Sequence, residues 1–256
     1  MRSMPSLVAF RQPFEGLLGI KHSGDRMILS RRHFLAGAAA LGLGAAAFGI
    51  YQGWLTPTGT SNSQGAIGPA RAQSTVDTAK LLEASPLGDR AIGSAEAKVV
   101  IVEYASTTCP HCAKFHAESF PAVKKDYIDT GKVRFIFREF PLNDVDLAAV
   151  MLARCAPEDK YFPLIDVLFE QQATWTKGNP REELFKIAQF AGFTQQSFDT
   201  CLKNEQVAKG ILEARERAAN EFGVESTPTF FINGEVVRGG ESLEEFRKLI
   251  DAALAA

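Results

Sequence analysis

Apolar positions along this chain recur with two periods, and each period predicts a different kind of element. Residues 98–104 (Lys-Val-Val-Ile-Val-Glu-Tyr) form a short, β-branched, nearly continuous run, as expected of a strand buried in a parallel sheet. A helix follows from Cys112, turning Phe115 and Phe120 inward, with a kink expected at Pro121 and an end before Gly131. Residues 133–137 are the next strand, parallel to the first through a right-handed crossover. Residues 143–222 then read as helical throughout. Ala148, Met151, Leu152 and Cys155 keep i, i+3, i+4, i+7 spacing, as do Leu184, Ile187, Ala188 and Ala191, and Phe198, Cys201 and Leu202 repeat that face.

Local signals punctuate the pattern. Asn179-Pro180-Arg181-Glu182 reads as an N-cap, a proline at N1 and a glutamate at N3, and Gly192 can end that helix. Past Pro228, residues 229–232 form a strand, Asn233-Gly234 is a two-residue hairpin signal, and residues 235–237 return antiparallel. Ser242-Leu243-Glu244-Glu245 predicts a capping box for a last helix whose Phe246, Leu249, Ile250, Ala253 and Leu254 cover the sheet. The fold class is therefore α/β, with a helical subdomain inserted at about 143–222. Residues 76–83 suit a short helix, and nothing there is large enough for an N-terminal dimerisation domain.

Composition changes this picture little. The chain has 256 residues, a formal net charge of −2 and 46% hydrophobic residues, which suits a sizeable core and gives no sign of nucleic-acid binding. The default oligomeric state is a monomer. Four cysteines are an even set, which fits an oxidising compartment.

The N-terminal pattern bears on compartment more directly. Residues 1–26 are irregular, and Met27 is an alternative start. Ser30-Arg31-Arg32-His33-Phe34-Leu35 resembles the twin-arginine export motif and precedes a mildly hydrophobic Ala/Gly-rich stretch to about Leu55. Ala70-Arg71-Ala72 has the small-x-small form of a cleavage site, while residues 34–55 are long enough to span a bilayer, so cleavage and anchoring stand level. Residues 1–55 are thus a signal or anchor, 56–74 a Thr/Gly/Ser/Pro/Gln-rich flexible spacer, and 75–256 the folded domain. The expected location is periplasmic.

The candidate chemistry lies at Cys109-Pro110-His111-Cys112. Two thiols three apart at a helix start can close a small disulfide, and the first thiolate faces free backbone N–H groups and the positive helix end. That lowers the pKa of Cys109 and makes it a good leaving group. Pro110 suits the first turn, where its missing N–H costs nothing. A protonated His111 would add positive charge and stabilise the reduced pair, which makes the disulfide an oxidant. Zinc is disfavoured because Cys155 and Cys201 lie far from the motif and from each other. A purely structural disulfide is disfavoured because so short a loop removes little chain entropy. The thiol chemistry calls for no cofactor.

Glu103 stands out in the middle of an apolar strand. Burial there disfavours the charged carboxylate and suits it to exchange a proton with Cys112; the alternative is a side chain that reaches solvent at the sheet end. His116 reads as a surface or packing residue rather than a catalyst, and Arg138-Glu139 lies near the site with no assigned role. Cys155 and Cys201 sit on apolar faces, either as two buried thiols or, as an exported protein favours, as a structural disulfide.

With Pro-His between its cysteines and Ser226-Thr227-Pro228-Thr229-Phe230 in the manner of a cis-proline loop, the chain resembles the DsbA family of disulfide oxidoreductases from about Ala91 to the C-terminus. The resemblance implies a thioredoxin-like fold with an inserted helical subdomain and an acidic residue at the position of Glu103. It also implies reoxidation by a quinone-linked DsbB-type membrane partner. A cis bond at Pro228 would expose the Thr227 backbone for strand-like pairing with substrate. Thr227 departs from the aliphatic residue common in the oxidases of the family and is familiar from the isomerase branch. Three readings follow: a dithiol oxidase acting on reduced exported proteins through a mixed disulfide at Cys109, an isomerase or reductase of the same fold, and a peptide-binding chaperone without redox turnover.

Overall fold

The structure is a computed structural model and describes Thr75–Ala256; the export signal, apolar stretch and spacer expected over residues 1–74 lie outside the described residues. Among the described residues no helix is long and apolar enough to cross a membrane.

The chain opens with helix α1 (Thr78–Leu81), whose N-cap Asp77 accepts the N–H groups of Ala79 and Lys80. Strand β1 (Arg90–Ile92) follows, then β2 (Val99–Ala105), helix α2 (Pro110–Glu118) and helix α3 (Phe120–Val123). The break between the two helices falls at Ser119, and Pro121 sits in the first turn of α3, where no helical N–H is needed. A π-helical turn over Lys124–Ile128 leads to Gly131 and strand β3 (Val133–Glu139). The insertion holds α4 (Asp144–Cys155), α5 (Tyr161–Glu170), α6 (Gln172–Trp175), α7 (Pro180–Phe190), α8 (Gln195–Leu202) and α9 (Glu205–Phe222). Strands β4 (Thr229–Ile232) and β5 (Glu235–Arg238) and helix α10 (Leu243–Ala255) close the fold.

The sheet runs β1-β3-β2-β4-β5, with β2 and β3 parallel and the other pairs antiparallel. β2 is therefore central and covered on both faces. Its side chains alternate: Val99, Ile101 and Ala105 join the core beneath α2 and the insertion, while Val102 and Tyr104 join a second core with Leu81, Phe222 and Phe231. The same period of two puts Glu103 on the face of Ile101, toward α2.

Several expectations need correction. β1 was not anticipated; the sheet was expected to begin at Lys98, yet Arg90–Ile92 pairs antiparallel to β3 at its outer edge. Asn179 occupies the N-cap of α7 without a side-chain cap bond, and the carboxylate of Glu182 reaches forward to Lys186 instead. The box at Ser242 forms by half: its hydroxyl accepts the N–H of Glu245, whose own carboxylate goes to Lys248. The hairpin forms as read, with Asn233 (φ 46°) and Gly234 (φ 89°) both left-handed as a type I′ turn requires.

Arg138 and Glu139 turn out to be internal ties, on opposite faces of β3. Arg138 donates to both carboxylate oxygens of Asp89 (3.0 and 2.8 Å), to the Tyr104 hydroxyl (2.8 Å) and to the Leu81 carbonyl (2.8 Å). Glu139 accepts a forked pair from Arg154 of α4 (2.5 and 2.8 Å) and the Tyr161 hydroxyl of α5 (2.5 Å). Each buried charge is thus paired and hydrogen-bonded, and the second set fastens the insertion to the sheet. Within the insertion, Cys155 of α4 and Cys201 of α8 are joined, with Cα atoms 6.1 Å apart and S–S 2.15 Å.

Candidate active site

The site begins where β2 ends. Ser106-Thr107-Thr108 leaves the sheet as a loop rich in hydroxyls and free N–H groups, and a single buried carboxylate collects them. Asp146, in the first turn of α4, accepts the Thr107 N–H (2.9 Å), the Thr107 and Ser106 hydroxyls (2.5 Å each) and the Leu142 N–H (2.9 Å). On another side, Gln172 of α6 donates its amide to the carbonyls of Thr107 (2.8 Å) and Cys109 (3.0 Å). Sequence reading missed both residues. The run of three hydroxyl residues before the motif was the available signal, since it demands an acceptor from elsewhere.

Cys109 is the N-cap of α2, with extended backbone (φ −81°, ψ 121°) and Pro110 at N1. The first N–H groups of the helix consequently point at its sulfur. As a thiol, Cys109 donates to the carbonyl of Thr227 at 3.2 Å. As a thiolate it needs donors, and these are the Cys112 thiol first, then the Thr227 hydroxyl and the backbone N–H groups of Cys112 and His111. The Thr227 hydroxyl is buried and engages no hydrogen-bond partner in this structure, which leaves it available to the thiolate. Against the cost of burial these donors pull the Cys109 pKa from the ordinary 9.0 down to about 5.

Cys112 behaves oppositely. It is fully buried, and burial, then the hydrogen bond it gives to Cys109, then the charge of Glu103 push its pKa far up. Cys109 retains 6% exposure against 0% for Cys112, so a substrate reaches the first sulfur. Both are free thiols in this structure. His111 is exposed at the rim. The Thr227–Pro228 bond is cis, in the loop that leads into β4 beside Cys109.

Glu103 does not reach solvent; it is 0% exposed, and its Oε2 lies 2.9 Å from Nε2 of His116. His116 is accordingly no surface residue, being 9% exposed with its ring stacked on Phe169. Its burial follows from helical spacing: one turn past Cys112, it shares the inward face of α2 with Cys112 and Phe115.

Residues 85–252 match the family model described as thioredoxin, and the chain belongs to that family. Within it the chain stands with the DsbA proteins. The crystal structure of alpha-DsbA1 from Wolbachia pipientis is similar with a TM-score of 0.65 and 32% identity, over 70% of this chain and 96% of that one. A Rickettsia felis protein with the provisional name protein-disulfide oxidoreductase is 35% identical over 168 residues, 65% of this chain and 60% of its own length. Disulfide bond formation protein D of Bacillus subtilis is 26% identical over 175 residues, 65% of this chain and 78% of that protein. The chain spans about 60% of the length of the Rickettsia felis relative.

Proposed function

We propose that the protein is a thiol:disulfide oxidoreductase working as a dithiol oxidase of exported proteins. The observation that carries this reading is the contrast between adjacent sulfurs: Cys109 is held as a thiolate, with a pKa of about 5, while Cys112 is buried and held as a thiol. A substrate thiolate attacks Cys109 of the disulfide, and the electron pair leaves on Cys112. A second substrate thiolate then attacks the substrate sulfur of the mixed disulfide, releasing the substrate as a disulfide and Cys109 as its stable thiolate. Glu103, on the buried side, exchanges a proton with Cys112. Pro110 and His111 shape the helix start, and the Thr227–Pro228 backbone receives an extended substrate segment.

The Thr227 hydroxyl favours the oxidase direction. Donating to the thiolate stabilises the reduced form, and a stabilised reduced form is an oxidising couple. The setting follows from the same reading: a periplasmic domain exported by a twin-arginine-type signal, reduced exported proteins as substrates, and a quinone-linked DsbB-type membrane reoxidant. Equilibration against glutathione tests it. A potential well above that of thioredoxin supports the donor role, and a potential near thioredoxin's with a near-neutral Cys109 moves the assignment to a reductase or isomerase. Retention of peptide-binding activity in Cys109→Ser as the sole measurable function would instead make it a chaperone.

A further inference from the structure

His116 is a buried titratable side chain that the thiol chemistry above leaves unused. The ring of His116 is enclosed by Phe169, Phe120, Phe115 and Phe137, with centroids 4.2, 4.8, 5.5 and 6.0 Å away. A cage of four phenylalanines calls for an apolar side chain. It holds instead an imidazole bonded to Glu103, and each partner keeps one buried atom with no hydrogen-bond partner, Oε1 of Glu103 and Nδ1 of His116. For a role in packing alone, two half-satisfied polar groups are a poor choice, since each orphaned atom carries a desolvation cost. The pair also faces the chemistry: the charge of Glu103 acts on Cys112, which lies one helical turn before His116 on α2.

The surroundings identify what the pair can exchange protons with. β3, α3 and α5 pack Phe137, Phe120 and Phe169 against the ring. Asp166 of α5 interacts electrostatically with His116, and Lys124 of the π-helical turn acts in turn on Asp166. Glu103 on β2 is the group bonded to the ring, and Cys112 is the thiol whose ionisation its charge opposes.

We propose that His116 is a positioning residue: its Nε2–H fixes Oε2 of Glu103 and steadies the carboxylate, leaving Oε1 to hand a proton to Cys112 and take it back. This rests on the thiol-exchange reading above. When a substrate thiolate bonds to Cys109 Sγ, the Cys109–Cys112 bond breaks and its electron pair stays on Cys112 Sγ. The proton on Glu103 Oε1 moves to that sulfur, and the resulting carboxylate keeps the His116 hydrogen bond. In the reverse direction the carboxylate takes the proton from Cys112, whose thiolate attacks the mixed disulfide at Cys109 and expels the partner thiolate. No net redox change occurs beyond the two electrons of the exchange.

The test follows closure of the glutathione mixed disulfide at Cys109, which needs Cys112 deprotonated, across pH in wild type, His116→Phe and His116→Gln. His116→Phe suits the cage and is expected to fold, but it removes the donor. Closure should slow by about tenfold or more and its pH profile should move upward. Cys109 ionisation, read by thiolate absorbance, should stay in place. His116→Gln, which can still donate to Oε2, should recover most of the rate. A wild-type rate and profile in His116→Phe overturns the proposal, as does a Gln variant no better than Phe. Failure of wild type itself to form the mixed disulfide would overturn the underlying exchange reading instead.

Discussion

Gln172 donates its side-chain amide to the carbonyl oxygen of Cys109 at 3.0 Å while also holding the carbonyl of Thr107 at 2.8 Å, so the helical insertion grips the nucleophile by its backbone. The Cys109 carbonyl has a second partner in the Ala113 N–H (3.1 Å), so the loss of Gln172 chiefly affects Thr107. Gln172→Ala is expected to cost about 1 kcal/mol in urea unfolding, one net hydrogen bond at a half-buried site. A variant as stable as wild type would show that the grip is incidental.

Asp146 bears more. Its removal orphans the Thr107 N–H, the Thr107 hydroxyl and the Leu142 N–H at once and leaves the Ser106 hydroxyl only Thr108, all around a fully buried carboxylate. Asp146→Ala is expected to destabilise the fold by roughly 3 kcal/mol, in the range of broken buried networks. Asp146→Asn keeps one carbonyl acceptor and should lose less. Equal losses in the two variants would mean that the charge, not the number of acceptor positions, is what the loop needs.

What could be read along the chain was what the chain determines locally. The β-branched run of β2, the Asn233-Gly234 turn and the periodic faces of α4, α7 and α8 are set by neighbours a few residues away, and so is the placement of two cysteines at a helix start. The parts that escaped reading depend on distant partners. Arg90–Ile92 carries no alternation and gains its strand character by lying against Phe135–Phe137 of β3. Asp146 and Gln172 meet the active-site loop across 39 and 63 residues. His116, expected as a surface or packing residue, is packed in the interior, and its partner escaped reading for the same reason: helical spacing put it with Cys112, but only the pleat of β2, which points Glu103 at α2, reveals that partner.

Thr227→Val separates the hydroxyl from the shape. Valine keeps the branched side chain before Pro228 but cannot donate to the Cys109 thiolate. A hydrogen bond to a charged group is worth about 1.5 kcal/mol or more, so the Cys109 pKa should rise by about one unit from its value near 5. The couple should become less oxidising by about 30 mV. Thiolate absorbance against pH measures the first and glutathione equilibration the second. A pKa unchanged in Thr227→Val would assign the whole depression to Cys112 and the helix N–H groups.

The depressed Cys109 pKa also predicts how the stability of the reduced protein varies with pH. In the unfolded reduced chain this thiol ionises near its ordinary 9.0, and in the folded one near 5, so between these values the unfolded state binds more protons. Folding stability of the reduced form therefore rises with pH through this window, by up to about 1.4 kcal/mol per unit, and is lost as pH falls through about 5. At about pH 7 the accumulated contribution is on the order of 3 kcal/mol. Cys112 does not oppose it there, because its raised pKa keeps it a thiol in both states until the unfolded thiol begins to ionise. The oxidised form has no thiolate and lacks the whole contribution. Urea unfolding of both forms at about pH 4.5 and 7.5 should give a reduced-minus-oxidised difference that grows in favour of the reduced protein at the higher pH. A difference independent of pH, or one that shrinks as pH rises, would mean that Cys109 is not held as a thiolate and would remove the physical basis for an oxidising couple.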